Sequence, residues 1–147
     1  MSESPKRPTV YVVDDEFVIA WSLAMILRHH GFAATSYTNP LQALQDARSA
    51  TPDILISDVV MPQLSGIDLA IQVQDRSPDC QVLLLSGQAA TAKMLESAAA
   101  RGANFEILLK PVRPADLLTK LQNMNGMHPV AGLCSPSLSG AQHLYQI

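Results

Sequence analysis

Three carboxylates, a hydroxyl and a lysine draw attention because each closes or directly follows a short apolar run. Asp14 and Asp15 follow Thr9-Val10-Tyr11-Val12-Val13, Asp58 closes Ile54-Leu55-Ile56-Ser57, Ser86 follows the run Cys80 to Leu85, and Lys110 follows Phe105 to Leu109. Runs of this length, rich in aliphatic and β-branched residues, read as strands buried on both faces of a parallel sheet. In an open α/β sheet the carboxyl ends of such strands share one rim, and ligands bind there. Taken alone, Asp58 reads as readily as a turn residue, and Lys110 as a surface lysine laid along apolar surface. Their convergence on one rim is what gives them chemistry. Pro62 and Gly66 also prevent the chain after Asp58 from continuing as strand or helix until Gly66 is passed.

Clustered carboxylates repel one another and resist ionisation unless a cation relieves them. Mg²⁺ suits such a cluster, since it takes hard oxygen ligands, typically one or two carboxylates with waters and a phosphate. A carboxylate can also attack phosphorus to form an aspartyl phosphate, with a metal neutralising charge on the phosphoryl oxygens. Lys110 offers a second positive charge and Ser86 a hydroxyl donor to those oxygens.

The elements that must position these groups alternate along the chain. A helix opens at Glu16-Phe17 and runs to about His30, with Ile19, Leu23, Ile26 and Leu27 as its buried stripe and Gly31 as its stop. His29 and His30 lie in its last turn, where capping and solvation are expected rather than metal binding. Ala33 to Thr38 is a second strand. Asn39-Pro40 caps a helix to about Ser49, and a further helix follows Gly66 to about Arg76. The strand Cys80 to Leu85, a helix from about Ala90 to Arg101, the strand Phe105 to Leu109 and a helix from Pro114 to about Met124 complete five strand–helix repeats. That alternation calls for a parallel sheet with right-handed crossovers and helices on both faces.

The chain has 147 residues with 48% hydrophobic character, enough for one core and no second one. The division expected is an N-terminal extension over 1–8, a domain over 9–125 and a disordered tail over 126–147, whose residues lack sustained periodicity. A net charge of −3 without basic clusters argues against direct DNA binding. No apolar run is long enough to span a bilayer, so no membrane role is expected and a cytoplasmic location is. Cys80 and Cys134 have neither metal nor redox spacing, and Cys80 reads as a small core residue.

Asp14-Asp15, Asp58 followed by Met61-Pro62 and Gly66, Ser86-Gly87 and Lys110-Pro111 together resemble the response-regulator receiver domain over about Thr9 to Met124. The resemblance implies a flavodoxin-like doubly wound sheet of order 2-1-3-4-5. It also implies phosphorylation of Asp58 by a histidine kinase or histidine phosphotransfer protein with Mg²⁺ present. On that reading Asp15 and Asp58 look like direct metal ligands, Val60 like a ligand through its carbonyl and Asp14 like one through water. Ser86 matches the switch hydroxyl and Lys110 the phosphate-binding lysine. Lys110-Pro111 is similar to a peptide bond that is cis in the family. The protein would be no enzyme beyond promoting its own phosphorylation and dephosphorylation. It would act as a stand-alone domain through another protein, and a weak dimer through the fourth helix, fifth strand and fifth helix is among the contacts implied.

Two other classes bear on the same residues. A haloacid-dehalogenase-like phosphatase would carry a second Asp two residues after its nucleophile, where this chain has Val60. A phosphate-independent scaffold would have lost an acidic or lysine site residue, and none is lost. One departure from the family is informative. The position three before the lysine, usually aromatic, is Ile107, and the interval from Gly102-Ala103 to Lys110 is one residue longer than the family's usual pattern, which suggests a bulge or lengthened loop. Ile107 is stiff and has no hydroxyl to exchange partners, so the expected relay runs through Ser86-Gly87-Gln88 and the fourth helix. Chemical shifts with and without beryllofluoride check this: changes are expected along the fourth helix, and changes confined to Phe105 and Ile107 would overturn it.

Overall fold

A computed structural model of the chain describes residues 7–87, 91–100, 102 and 105–125. It divides into two units, residues 1–110 and 111–147. The first carries β1 (Thr9–Val13), α1 (Phe17–His29), β2 (Ala33–Tyr37), α2 (Pro40–Ser49), β3 (Ile54–Asp58), α3 (Gly66–Arg76), β4 (Gln81–Ser86), α4 (Thr91–Ala100) and β5 (Glu106–Leu109). The second carries α5 (Pro114–Asn125). All strands are parallel, in the order β2-β1-β3-β4-β5, which is the flavodoxin-like arrangement expected.

Strand alternation divides the core of the first unit. Tyr11, Val13, Leu55, Val82 and Leu84 belong to one cluster with Ala43, Leu44 and Ala47 of α2, Leu69, Ala70 and Val73 of α3 and Ala98 of α4. Val10, Val12, Ile54, Ile56 and Leu83 point the other way and are fully or almost fully buried. The buried face of α1 is Ala20, Leu23, Ala24 and Leu27, while Ile19 and Ile26 are only half-buried. This differs from the stripe expected of the larger aliphatic residues. Two alanines share the inner face with Leu23 and Leu27, and the bulkier isoleucines lie to the side. Glu16 stands outside the helix as its N-cap residue, its carbonyl accepting from the Ile19 and Ala20 N–H groups.

Other ends follow local chemistry. The Asn39 side chain accepts from the Leu41 N–H at 2.9 Å with Pro40 at the first helical position, and Ser65 Oγ accepts from the Asp68 N–H at 3.1 Å. Gly31 has φ +93°, a left-handed value that suits the end of α1. Cys80 precedes β4 rather than opening it and is buried, and burial, with the charge of Asp53 adding to it, pushes its thiol pKa up to about 12. Of the expected extension, Pro8 already joins the sheet by accepting from the Ala33 N–H at 2.8 Å. Residues 1–6, Cys134 and the tail 126–147 lie outside the described residues, as do positions 103 and 104, where part of the lengthened loop was expected.

The segment after β3 holds Asp58 in place. Gln63 has φ +74°, and the Leu64 N–H donates to the Pro62 carbonyl at 2.8 Å, a tight three-residue turn. The chain doubles back, the Gly66 N–H donates to the Val59 carbonyl at 2.8 Å, and α3 begins against the end of β3. A Cβ on Gly66 would overlap the Asp58 carbonyl oxygen and sit 2.8 Å from Ser57 Oγ, which itself donates to that carbonyl. The obstacle is backbone, which cannot swing aside. Gly66→Ala should therefore lower stability by about 1–3 kcal/mol and displace the Asp58 main chain. An unchanged denaturation midpoint would show that the loop yields freely.

Candidate functional site

Four strand ends assemble one site. Asp14, the first residue past β1, is fully buried, with its N–H bonded to the Tyr37 carbonyl at 3.0 Å. Both its carboxylate oxygens are engaged: Oδ1 accepts from the Glu16 N–H at 2.9 Å and Oδ2 from Lys110 Nζ at 2.9 Å. Asp15 beside it is exposed. Asp58, the last residue of β3, is partly exposed, with Oδ2 3.4 Å from Lys110 Nζ. Lys110 is held in register with β4 by its own N–H, which donates to the Ser86 carbonyl at 2.9 Å.

A cavity of about 260 Å³ opens over these groups, lined by Asp15, Glu16, Asp58, Val60, Gly87 and Lys110 together with Val59. One carboxylate oxygen from each of Asp14, Asp15 and Asp58 lies within 4.8 Å of the others. Burial raises the Asp58 pKa above the usual carboxylate range, the charge of Asp14 adds to the rise, and Lys110 opposes it without cancelling it. Burial alone would lower the Lys110 pKa, but its hydrogen bond to Asp14 and the charges of Asp14 and Asp58 hold it above the ordinary lysine value. Among the described residues, three carboxylates thus face the Lys110 ammonium. That residual negative charge, on oxygen donors with open space above, fits a hard divalent cation such as Mg²⁺.

The structure brings together Asp14, Asp15, Asp58 and Lys110 as the sequence predicts, with the half-exposed Val60 on the cavity wall. Ser86 is buried, and its neighbour Gly87 forms the wall instead. Sequence reasoning missed Glu16 as a lining residue. Its position directly after the Asp-Asp pair and before the helix was the available signal. The outer face of α1 begins at this rim, with Phe17, Val18, Trp21 and Met25 all exposed and the Phe17 and Trp21 rings stacked at 6.5 Å. At the other end of α1, His30 Nδ1 lies 2.9 Å from the Ile26 carbonyl, a capping contact. Among the described residues no helix is long and apolar enough to cross a membrane.

Charge crowding has a measurable consequence. Because the folded protein raises the Asp58 pKa, this group's contribution to stability is fully present below its unfolded pKa and is lost as pH rises through its folded value. Near neutral pH and without divalent cations, Asp58→Asn should therefore unfold at higher denaturant than the parent protein. Added Mg²⁺ should narrow the gap by stabilising the parent. A less stable variant in metal-free buffer would contradict the electrostatic account.

Comparison with known proteins agrees with this geometry. The family described as the response regulator receiver domain matches residues 10–122. The probable transcriptional regulatory protein TcrX of Mycobacterium tuberculosis is 32% identical over 114 residues, 78% of this chain and 48% of that protein. The response regulator receiver protein CpdR of Brucella abortus is 28% identical over 78% of this chain and 94% of its own length. The chain spans about half or less of the length of the first curated relatives it matches. Among solved structures, the chemotaxis protein CheY4 of Vibrio cholerae superposes with a TM-score of 0.72 at 26% identity, covering 81% of this chain and 99% of that one. With the sheet order, the acidic cluster and the lysine already in place, these matches show that the chain belongs to the response regulator receiver domain family.

Proposed function

We propose that this chain is a phosphoaccepting switch, in which Asp58 takes a phosphoryl group from a phosphohistidine of a histidine kinase or histidine phosphotransfer protein. The observation that carries this reading is the Asp58 carboxylate at the mouth of a cavity, 3.4 Å from Lys110 and beside two further carboxylates. An Asp58 carboxylate oxygen attacks phosphorus, the phosphorus–nitrogen bond breaks, and the imidazole leaves with the electron pair and takes up a proton. Bound Mg²⁺ supplies charge neutralisation of the phosphoryl oxygens. Lys110 lies within reach of the oxygens that form, and Asp14 keeps it charged and aimed. Asp15 is open to the cavity, whereas Asp14 has both oxygens already bonded, which suits a direct ligand and one acting through water. Val60, two residues past Asp58, places an apolar side chain where a phosphatase of the haloacid-dehalogenase type needs an acid.

The protein acts by this modification and by protein contact, with no separate substrate turned over. The donor docks along the start of α1, where Phe17 and Trp21 present an apolar surface beside the cavity that water would otherwise cover. Ile107 and Phe105 both pack against the core cluster, so Ile107 serves as packing while the Ser86-Gly87 end of β4 and α4 carry the response.

Labelling from acetyl phosphate should be abolished in Asp58→Asn, and a hydroxylamine-sensitive label persisting in that variant would sink the assignment. In Asp15→Asn the first loss should be of Mg²⁺ affinity, read from Trp21 fluorescence in a titration. Phe17→Ala and Trp21→Ala should slow transfer from a phosphohistidine protein about tenfold or more, the scale of a lost apolar contact of roughly 1.4 kcal/mol, and leave acetyl phosphate labelling unchanged. Equal slowing with both donors would mean that the site itself had been damaged.

A further inference from the structure

A further set of contacts reaches the acidic cluster from the side of β2. Among the described residues no strand lies beyond β2, and an edge strand opens locally at less cost than a central one. Near its start β2 is met by Arg28, whose Nε donates to the Ala34 carbonyl at 2.7 Å. At its last residue the Tyr37 carbonyl accepts from the Asp14 N–H at 3.0 Å, and Asp14 in turn accepts from Lys110 Nζ at 2.9 Å. The main chain of the buried carboxylate thus leans on the end of an edge strand.

Tyr37 is itself anchored to α2. Its hydroxyl donates to Asp46 Oδ2 at 2.8 Å, and Asp46 Oδ1 accepts from Nε2 of Gln42, four residues earlier on the same helix, at 3.0 Å. Burial, with the bond to Asp46 adding to it, raises the Tyr37 pKa above the ordinary phenol value, so the hydroxyl stays a donor. The Tyr37 ring packs against that of Tyr11 with centroids 4.9 Å apart, and the Tyr11 hydroxyl donates to the carbonyl of Ala50, at the end of α2, at 2.8 Å. Two tyrosines therefore tie the sheet to α2, and it is Tyr37 whose main chain is bonded to Asp14.

We propose that Tyr37 and Asp46 are positioning residues for the acidic cluster: the phenol–carboxylate bond to α2 pins the end of β2, and through it the Asp14 main chain, and so sets the affinity of the rim for a divalent cation. Groups that orient a carboxylate beside a metal govern affinity without touching the ion. The effect on Mg²⁺ rests on the proposed use of the cluster, whereas the hold on Asp14 stands without it.

Amide hydrogen exchange and Mg²⁺ titration of the ¹⁵N-labelled full chain test it. In metal-free buffer Tyr37→Phe should speed exchange of the Asp14 N–H about tenfold, the scale of one hydrogen bond to a charged group, while the Ala33 N–H, bonded to Pro8 at the other end of β2, exchanges as in the parent protein. Mg²⁺ affinity, read from the Asp15 and Asp58 amide shifts, should fall about tenfold. Tyr11→Phe is the matched control, since it loses a bond of the same length to the same helix: it should lower the denaturation midpoint and leave Asp14 exchange and Mg²⁺ affinity unchanged. Asp46→Asn keeps an oxygen for the phenol and should stay near the parent, whereas Asp46→Leu should match Tyr37→Phe. The proposal is overturned if Tyr37→Phe leaves the Asp14 N–H as slow as in the parent, if Tyr11→Phe speeds it equally, if Asp46→Asn behaves as Asp46→Leu does, or if faster exchange leaves Mg²⁺ affinity unchanged. A parent chain that binds no Mg²⁺ would instead sink the reading of the cluster, and the exchange rates alone would then decide whether Tyr37 and Asp46 hold Asp14.

Discussion

Crowding of like charge at the carboxyl rim of the sheet is the constraint on which the rest of this structure depends. Asp14, Asp15 and Asp58 bring carboxylate oxygens within 4.8 Å of one another, and the Lys110 ammonium is set among them. Such a cluster costs folding free energy, because ionised carboxylates lose water as they approach and then repel. A structure that tolerates it holds a site primed for positive charge. A divalent cation would meet a field already oriented towards it.

Holding the cluster needs a rigid floor. The strand ends that carry the site are tied by main-chain bonds to neighbouring strands: Asp14 to Tyr37 of β2, Val59 beside Asp58 to Leu85 of β4, and Lys110 to Ser86 of β4. The buried leucines of β4 and isoleucines of β3 lie beneath, so moving a carboxylate means moving a packed strand. Gly66 closes the arrangement from the α3 side, where close approach to the Asp58 carbonyl leaves no room for a side chain.

The surface around the site is apolar where the site is charged. Phe17, Val60, Leu109 and Trp21 are all substantially exposed. On the proposed reading a small phosphodonor would need only the cavity, whereas a protein donor would bury this apolar surface as well. Val18 and Met25 extend the apolar face along α1 towards Arg28.

Much of this was legible in the residues alone. Apolar runs ending in Asp14-Asp15, Asp58, Ser86 and Lys110 determine strands that share a rim, because hydrophobic runs of that length between turn formers must be buried and parallel connections return each strand in the same sense. Asn39-Pro40 and Gly31 likewise marked helix ends, since capping and left-handed backbone are properties of the residue itself. Distances and allegiances were not legible. That Lys110 sits closer to Asp14 than to Asp58, that Glu16 lines the cavity, that alanines rather than isoleucines form the inner face of α1, and that Arg28 bonds to the β2 edge all depend on how strands and helices far apart in sequence pack. Periodicity assigns a residue to a face, but only the tertiary contacts decide which groups on that face come within bonding distance.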